Sequence, residues 1–151
     1  MIPQFYYLLF SFLPLIIFPK TSDFFEIPKM IFVYLITLII ISIWIIEMIK
    51  EKRIIFTKTP LDLPLLLFLG SQSISTLFSI DQHSSVFGYY SRLNGGLLSS
   101  LSYAFLYWAF VSLVDSKEAK RILKFSLITA LFISIWGISE HFGTNPGCLI
   151  F

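Results

Sequence analysis

Residues 30–46 read MIFVYLITLIIISIWII, seventeen positions with no charge, glycine or proline. As a helix rising 1.5 Å per residue, this run is about 25 Å long, close to the ~30 Å hydrocarbon core of a bilayer. An all-round apolar helix belongs either in lipid or deep inside a large soluble core. The rest of the chain decides between them. At 151 residues it has the length of about one domain. Charged residues are 13%, apolar residues 56%, and Phe occurs 17 times; mean hydropathy is +0.83. Soluble proteins carry roughly twice that share of charge, and no soluble fold of this size has the interior to hide so much apolar surface. Composition therefore excludes a soluble enzyme, a disordered chain and a disulfide scaffold, and predicts lipid as the solvent.

Outward from that run, five apolar stretches of near-spanning length appear, at 5–18, 30–49, 63–79, 96–114 and 122–139. The predicted fold is an all-α polytopic bundle of about five spans across residues 1–151, with no soluble domain and no internal repeat. The first stretch is short and carries Pro14, so it is expected to be thin, tilted or kinked. It reads as a retained span. No Lys or Arg precedes it, and Pro19-Lys20-Thr21-Ser22-Asp23 offers no small-x-small cleavage site.

Charge sets the orientation. Lys50, Lys52, Arg53 and Lys58 follow the second stretch, and Lys117, Lys120, Arg121 and Lys124 follow the fourth; Lys20, Lys29 and Arg92 fall on the other side. Eight against three places the eight in the cytoplasm, with the N-terminus inside. Topology alone accounts for these basic loops, so no nucleic-acid partner is expected. Boundary chemistry agrees. Asp62 between Pro60 and Pro64 suits a turn and helix cap. Asp115 to Arg121 suits a short amphipathic turn at the headgroups. Trp44, Trp108 and Trp136 fall within or near span ends.

Polar groups concentrate in the turn Ser79–Gly96 between the third and fourth stretches. Small residues flank it at helical spacing, Ser71, Ser75 and Ser79 on one side and Gly96, Ser100 and Ala104 on the other, which predicts a close helical hairpin. Arg92 is the turn's sole basic residue, with Tyr89 and Tyr90 before it and Asn94 after. These four are the candidate ligand-binding residues. A guanidinium among tyrosines at an interface suits a phosphate or diphosphate, and Gly95-Gly96 suits backbone amides approaching an anion. Headgroup anchoring uses the same residue types, and both readings stand.

Other polar positions carry less. His83 and Asp81 form an acid–base pair on paper but read as solvated, and Glu140 with His141 reads as interfacial. Two histidines without a carboxylate cluster predict no metal site, and no cofactor motif or catalytic residue is found. Cys148 is the sole cysteine and reads as an apolar space-filler. Gln72 is expected to bond to a neighbouring helix, and Glu47 to reach water. Asp23, Phe24, Phe25 and Glu26 suggest an interfacial turn leading to Lys29.

Three motifs carry a family resemblance. They are Leu13-Pro14-Leu15 with Phe24-Phe25-Glu26-Ile27-Pro28-Lys29 before a long span, Asp62-Leu63-Pro64 with Ser75-Thr76-Leu77-Phe78-Ser79, and Ser85-Val86-Phe87-Gly88-Tyr89-Tyr90-Ser91-Arg92-Leu93-Asn94-Gly95-Gly96. The chain resembles the N-terminal part of the O-antigen ligase and polymerase-like membrane glycosyltransferases of the bacterial inner membrane. The resemblance implies about a dozen spans in the whole protein. It also implies transfer of a glycan from an undecaprenyl-pyrophosphate carrier to an acceptor outside the membrane, in lipopolysaccharide and cell-envelope biosynthesis. The family's essential Arg and His residues lie mainly in later helices and a large outer loop. The chain is accordingly read as an N-terminal fragment ending in an outer loop near Gly143–Gly147, inactive alone. The alternative is a small membrane scaffold or transporter-type subunit. A transporter is expected to place ionisable groups deep within its spans, and these spans carry none.

Overall fold

A computed structural model describes residues 2–16, 26–90 and 92–142. The turn expected through Asp23, Phe24 and Phe25, the segment near Gly143–Gly147, and Cys148 lie outside the described residues. All regular structure among the described residues is helical. The elements are α1 (Ile2–Phe12) with a following 3-10 turn (Leu13–Leu15), α2 (Glu26–Glu51), α3 (Asp62–Leu77), α4 (Gln82–Phe87), α5 (Leu97–Leu113) and α6 (Ser116–His141).

Local chemistry explains the boundaries. α2 opens on Glu26, which suits the helix dipole, and has Pro28 in its first turn; its last turn carries Lys50 beside Glu51, so the dipole is matched at the start only. α1 stops at Phe12 because Pro14 lacks an N–H and disfavours helical geometry at the residue before it. Two expectations change here. Asp62 does not cap α3. Leu61 occupies the cap position, and the Asp62 carboxylate turns back to accept from the Thr59 N–H and hydroxyl, both at 2.7 Å. The amphipathic turn expected at Asp115–Arg121 is instead the first two turns of α6, one continuous helix of 26 residues.

Among the described residues two helices are long and apolar enough to cross a membrane, Glu26–Glu51 and Ser116–Ser139. The other three predicted stretches form shorter helices. Residues 2–15, α3 and α5 are about 21, 24 and 26 Å long at 1.5 Å per residue. Pro14 curtails the first. The third ends at Phe78, where backbone hydrogen bonding turns the chain.

α2 and α5 pack in the same direction: Glu26 meets Arg92 and Met30 meets Tyr103 near their starts, while Trp44 holds Ile55 and Thr57 reaches Ser112 near their ends. α1, α2, α5 and α6 share one core, in which Ile40, Ala109 and Ile122 are at most 1% exposed. Tyr6 donates to the Leu106 carbonyl at 2.7 Å, and its ring meets Phe110 edge-on at 5.0 Å. Tyr7 reaches Glu118 at 3.2 Å and packs edge-on against Phe125 at 5.3 Å. α3 lies outside this core against α5. Its inward face carries Leu69 and Thr76, not the predicted Ser71 and Ser75, which are exposed. Ser71 lies two positions beyond Leu69, about 200° around a helix, so that serine stripe points away.

The outside of the bundle is apolar. Leu127, Ile128, Leu131 and Phe132 on α6 are each at least 59% exposed, whereas Thr37, Ser99 and Ser102 are buried. Contacts define two ends. Glu26 and Arg92 meet at one. At the other, Trp108 donates to Asp62 at 3.1 Å, Tyr107 to Thr59 at 2.9 Å, and the Thr57 N–H to Ser112 at 3.1 Å. Both lysine-rich segments belong to this second, basic end.

The Thr59 N–H, then the Thr59 hydroxyl and the Trp108 indole, hold the Asp62 carboxyl below its ordinary value of 3.8. A lowered value means the stabilisation is complete above pH 4 and fades as pH falls through the folded value. Amide hydrogen exchange is expected to show Thr59 protected near neutrality and progressively unprotected on acidification. Asp62→Ala is expected to leave Thr59 unprotected at every pH, and protection in that variant would contradict the assigned bond.

Candidate functional site

The segment from Phe78 to Gly96 builds a structured turn at the end opposite the lysines. α4 starts there because the Asp81 carboxylate accepts from the Ser84 N–H at 3.2 Å and from the Ser84 hydroxyl. Those two donors, the hydroxyl first, hold the Asp81 carboxyl below its ordinary range. Asp81 is thus committed to capping. The His83 ring packs on Phe87 at 4.9 Å.

After α4 the chain crosses itself. Gly88 has φ +82°, and a Cβ there would sit 2.1 Å from the Asn94 carbonyl oxygen. A Cβ on Gly96 would sit 2.4 Å from the Gly88 nitrogen and 2.5 Å from the Val86 oxygen. Only hydrogen side chains permit this crossing. The Tyr89 N–H donates to the Asn94 carbonyl at 3.3 Å, and the Tyr89 carbonyl accepts from Arg92 at 2.9 Å and Leu93 at 2.8 Å. Leu93 takes φ +51°, a conformation costly for a side chain with a Cβ. The Tyr34 hydroxyl fixes it by donating to the Leu93 carbonyl at 2.6 Å.

The four predicted ligand-binding residues divide into two kinds. Tyr89 and Tyr90 are 76% and 83% exposed, and the Arg92 side chain is 62% exposed with Nε 3.8 Å from a Glu26 carboxylate oxygen. A pair so open and so long contributes at most about 1 kcal/mol, and leaves the guanidinium donors able to take another acceptor. Asn94 faces inward. Its side-chain oxygen accepts from the Gly95 N–H at 2.8 Å and lies 3.5 Å from the Tyr103 hydroxyl. Its place in the turn is structural. The Gly95 amide, expected to meet an anion, is spent on Asn94 and on Ser99 at 3.1 Å. Gly96 packs on Gly88 and Val86, whereas Gly95 has open space around it and takes φ +85°, so the pair serves the backbone path of the turn.

A surface cavity of about 360 Å³ opens between the turn and α2, lined by Ile27, His83, Phe87, Gly88, Tyr90 and Leu93. Sequence reasoning missed Glu26 and Tyr34 as neighbours of this turn. A tyrosine within an apolar run was the one signal available for Tyr34. Among the described residues no group of three His, Cys, Asp or Glu side chains is placed to hold a metal ion. Chemically, the turn offers one exposed guanidinium, two phenols and an imidazole.

Gly96→Ala is expected to open the crossing, and Tyr34→Phe to loosen it by about 1 kcal/mol, the worth of one hydrogen bond. Limited proteolysis within residues 88–96 checks both. Cleavage should rise in the order wild type, Tyr34→Phe, Gly96→Ala, and equal rates would contradict the tether.

Compared with protein families, with curated proteins and with solved structures, the chain matches none.

Proposed function

We propose that these residues form the N-terminal membrane part of an O-antigen ligase-like glycosyltransferase in the bacterial inner membrane. Five segments cross or enter the bilayer, the N-terminus is cytoplasmic, and the Ser79–Gly96 turn lies at the outer face. The two helices of spanning length support the bilayer, as does the outward-facing apolar surface of α6. The positive-inside rule supports the orientation.

What favours substrate contact is the end turn itself: a braced backbone crossing that presents Arg92, Tyr89 and Tyr90 outward. In a transfer from a lipid-linked diphosphate, an acceptor hydroxyl attacks the anomeric carbon and the diphosphate departs with its electrons. Positive charge near that leaving group stabilises the transition state, and Arg92 supplies it here. Asp81 is held by Ser84 and is not free to act as the base. Proton removal is assigned to later parts of such a transferase.

A second reading, a membrane scaffold without chemistry, is favoured by one observation: Glu26 already pairs with Arg92. Glycan transfer in membranes carrying the native protein separates the two. Arg92→Ala is expected to lower transfer on the order of tenfold or more, with insertion unchanged and Arg92→Lys partly active. Full transfer by a normally inserted Arg92→Ala protein would leave only an anchoring role.

A further inference from the structure

At the basic end, α2 finishes unusually. Lys52 takes φ +50°, the left-handed conformation that glycine favours, and its N–H donates to the Ile49 carbonyl at 3.4 Å. The reversal sends the following residues back beside α2, where the Trp44 indole donates to the Ile55 carbonyl at 3.0 Å. Between the last turns of α2 and this returning segment lies a groove of about 280 Å³. Ile45, Met48, Ile49 and Ile54 form its apolar wall, and Lys52 and Arg53 form its rim. Ile54 is 87% and Ile49 69% exposed, so the wall is open to the surroundings.

The rim is cationic. Lys50, Lys52 and Arg53 stand against Glu51, with Glu47 one turn back along α2. Glu51 accepts from Arg53 Nε at 2.6 Å and also pairs with Nη2, which leaves the Nη1 donors for another acceptor. Cations above an apolar slot at the end of a spanning helix match a phosphodiester above acyl chains. The second basic segment differs. It runs along the straight start of α6, where Glu118 takes both Arg121 and Tyr7.

We propose that this groove is a binding site for one anionic glycerophospholipid. Its phosphodiester lies against Lys52 and Arg53, and an acyl chain runs along Ile45, Ile49 and Ile54. The site rests on a bilayer surrounding α2 and is independent of glycan transfer.

The test is native mass spectrometry of the chain released from bilayers of equal parts phosphatidylglycerol and phosphatidylcholine. Flotation with the same vesicles reports separately on membrane insertion. The expected result is retained phosphatidylglycerol at one lipid per chain. Lys52→Asn/Arg53→Gln, in which Asn tolerates the left-handed conformation, should lower that retention by about tenfold. Lys117→Gln/Lys120→Gln removes the same charge elsewhere and should leave retention unchanged. Equal retention of both lipids by an inserted wild-type chain would overturn the site. An equal loss in both double variants would do the same, since it would reduce the preference to bulk charge.

Discussion

In a bilayer a hydroxyl on an apolar helix would have no water to bond and would need its partner within the chain, and the bundle meets that constraint throughout its described residues. Thr37, Ser42, Ser73, Thr76 and Ser102 each donate to the carbonyl four residues back. Along α6, Thr129, Ser134 and Ser139 do the same, and Ser126 reaches three residues back. Among the described residues no buried side-chain nitrogen or oxygen lacks a partner. Helices satisfy their backbone internally, and these side chains follow the same rule, which is what a hydrocarbon solvent demands.

Once hydroxyls are spent locally, the long aromatic donors are left to join one helix to another. Tyr6 ties α1 to α5, Tyr34 ties α2 to the end turn, and Trp44 ties α2 to the returning segment. For helices in a bilayer apolar contact gains little, and packing with such bonds is what would carry their association. Small residues on α5 let its neighbours approach: Ser99, Ala104 and Ala109 are each at most 1% exposed. The two ends are then fixed by different means. Gly88 and Gly96 close one, and Asp62 with Thr59, Tyr107 and Trp108 closes the other.

The helical class was legible because period and composition are local properties, and residues 30–46 state them without ambiguity. Helix lengths were less so. Pro14 was visible, but its full effect, a helix ending at Phe12, depends on the chain that follows. The turn between α3 and α5 was legible as a cluster of polar residues, yet their division of labour was not. Asn94 and Arg92 look alike in sequence, and only the backbone crossing turns one inward and leaves the other out. The serine stripe on α3 misled because small residues at four-residue spacing specify a face without specifying which neighbour meets it. Glu26 lies 66 positions from Arg92, a separation at which sequence offers no pairing signal.

The central claim is that the bundle spans a bilayer with the tyrosine–arginine turn and the lysine-rich segments on opposite sides. Single cysteines at Tyr90 and Lys58, in a Cys148→Ser background, test it directly in right-side-out and inverted vesicles with a thiol reagent that cannot cross membranes. Position 90 should react only in right-side-out vesicles and position 58 only in inverted ones. Labelling of both positions from the same side, or of both in either preparation, would contradict it.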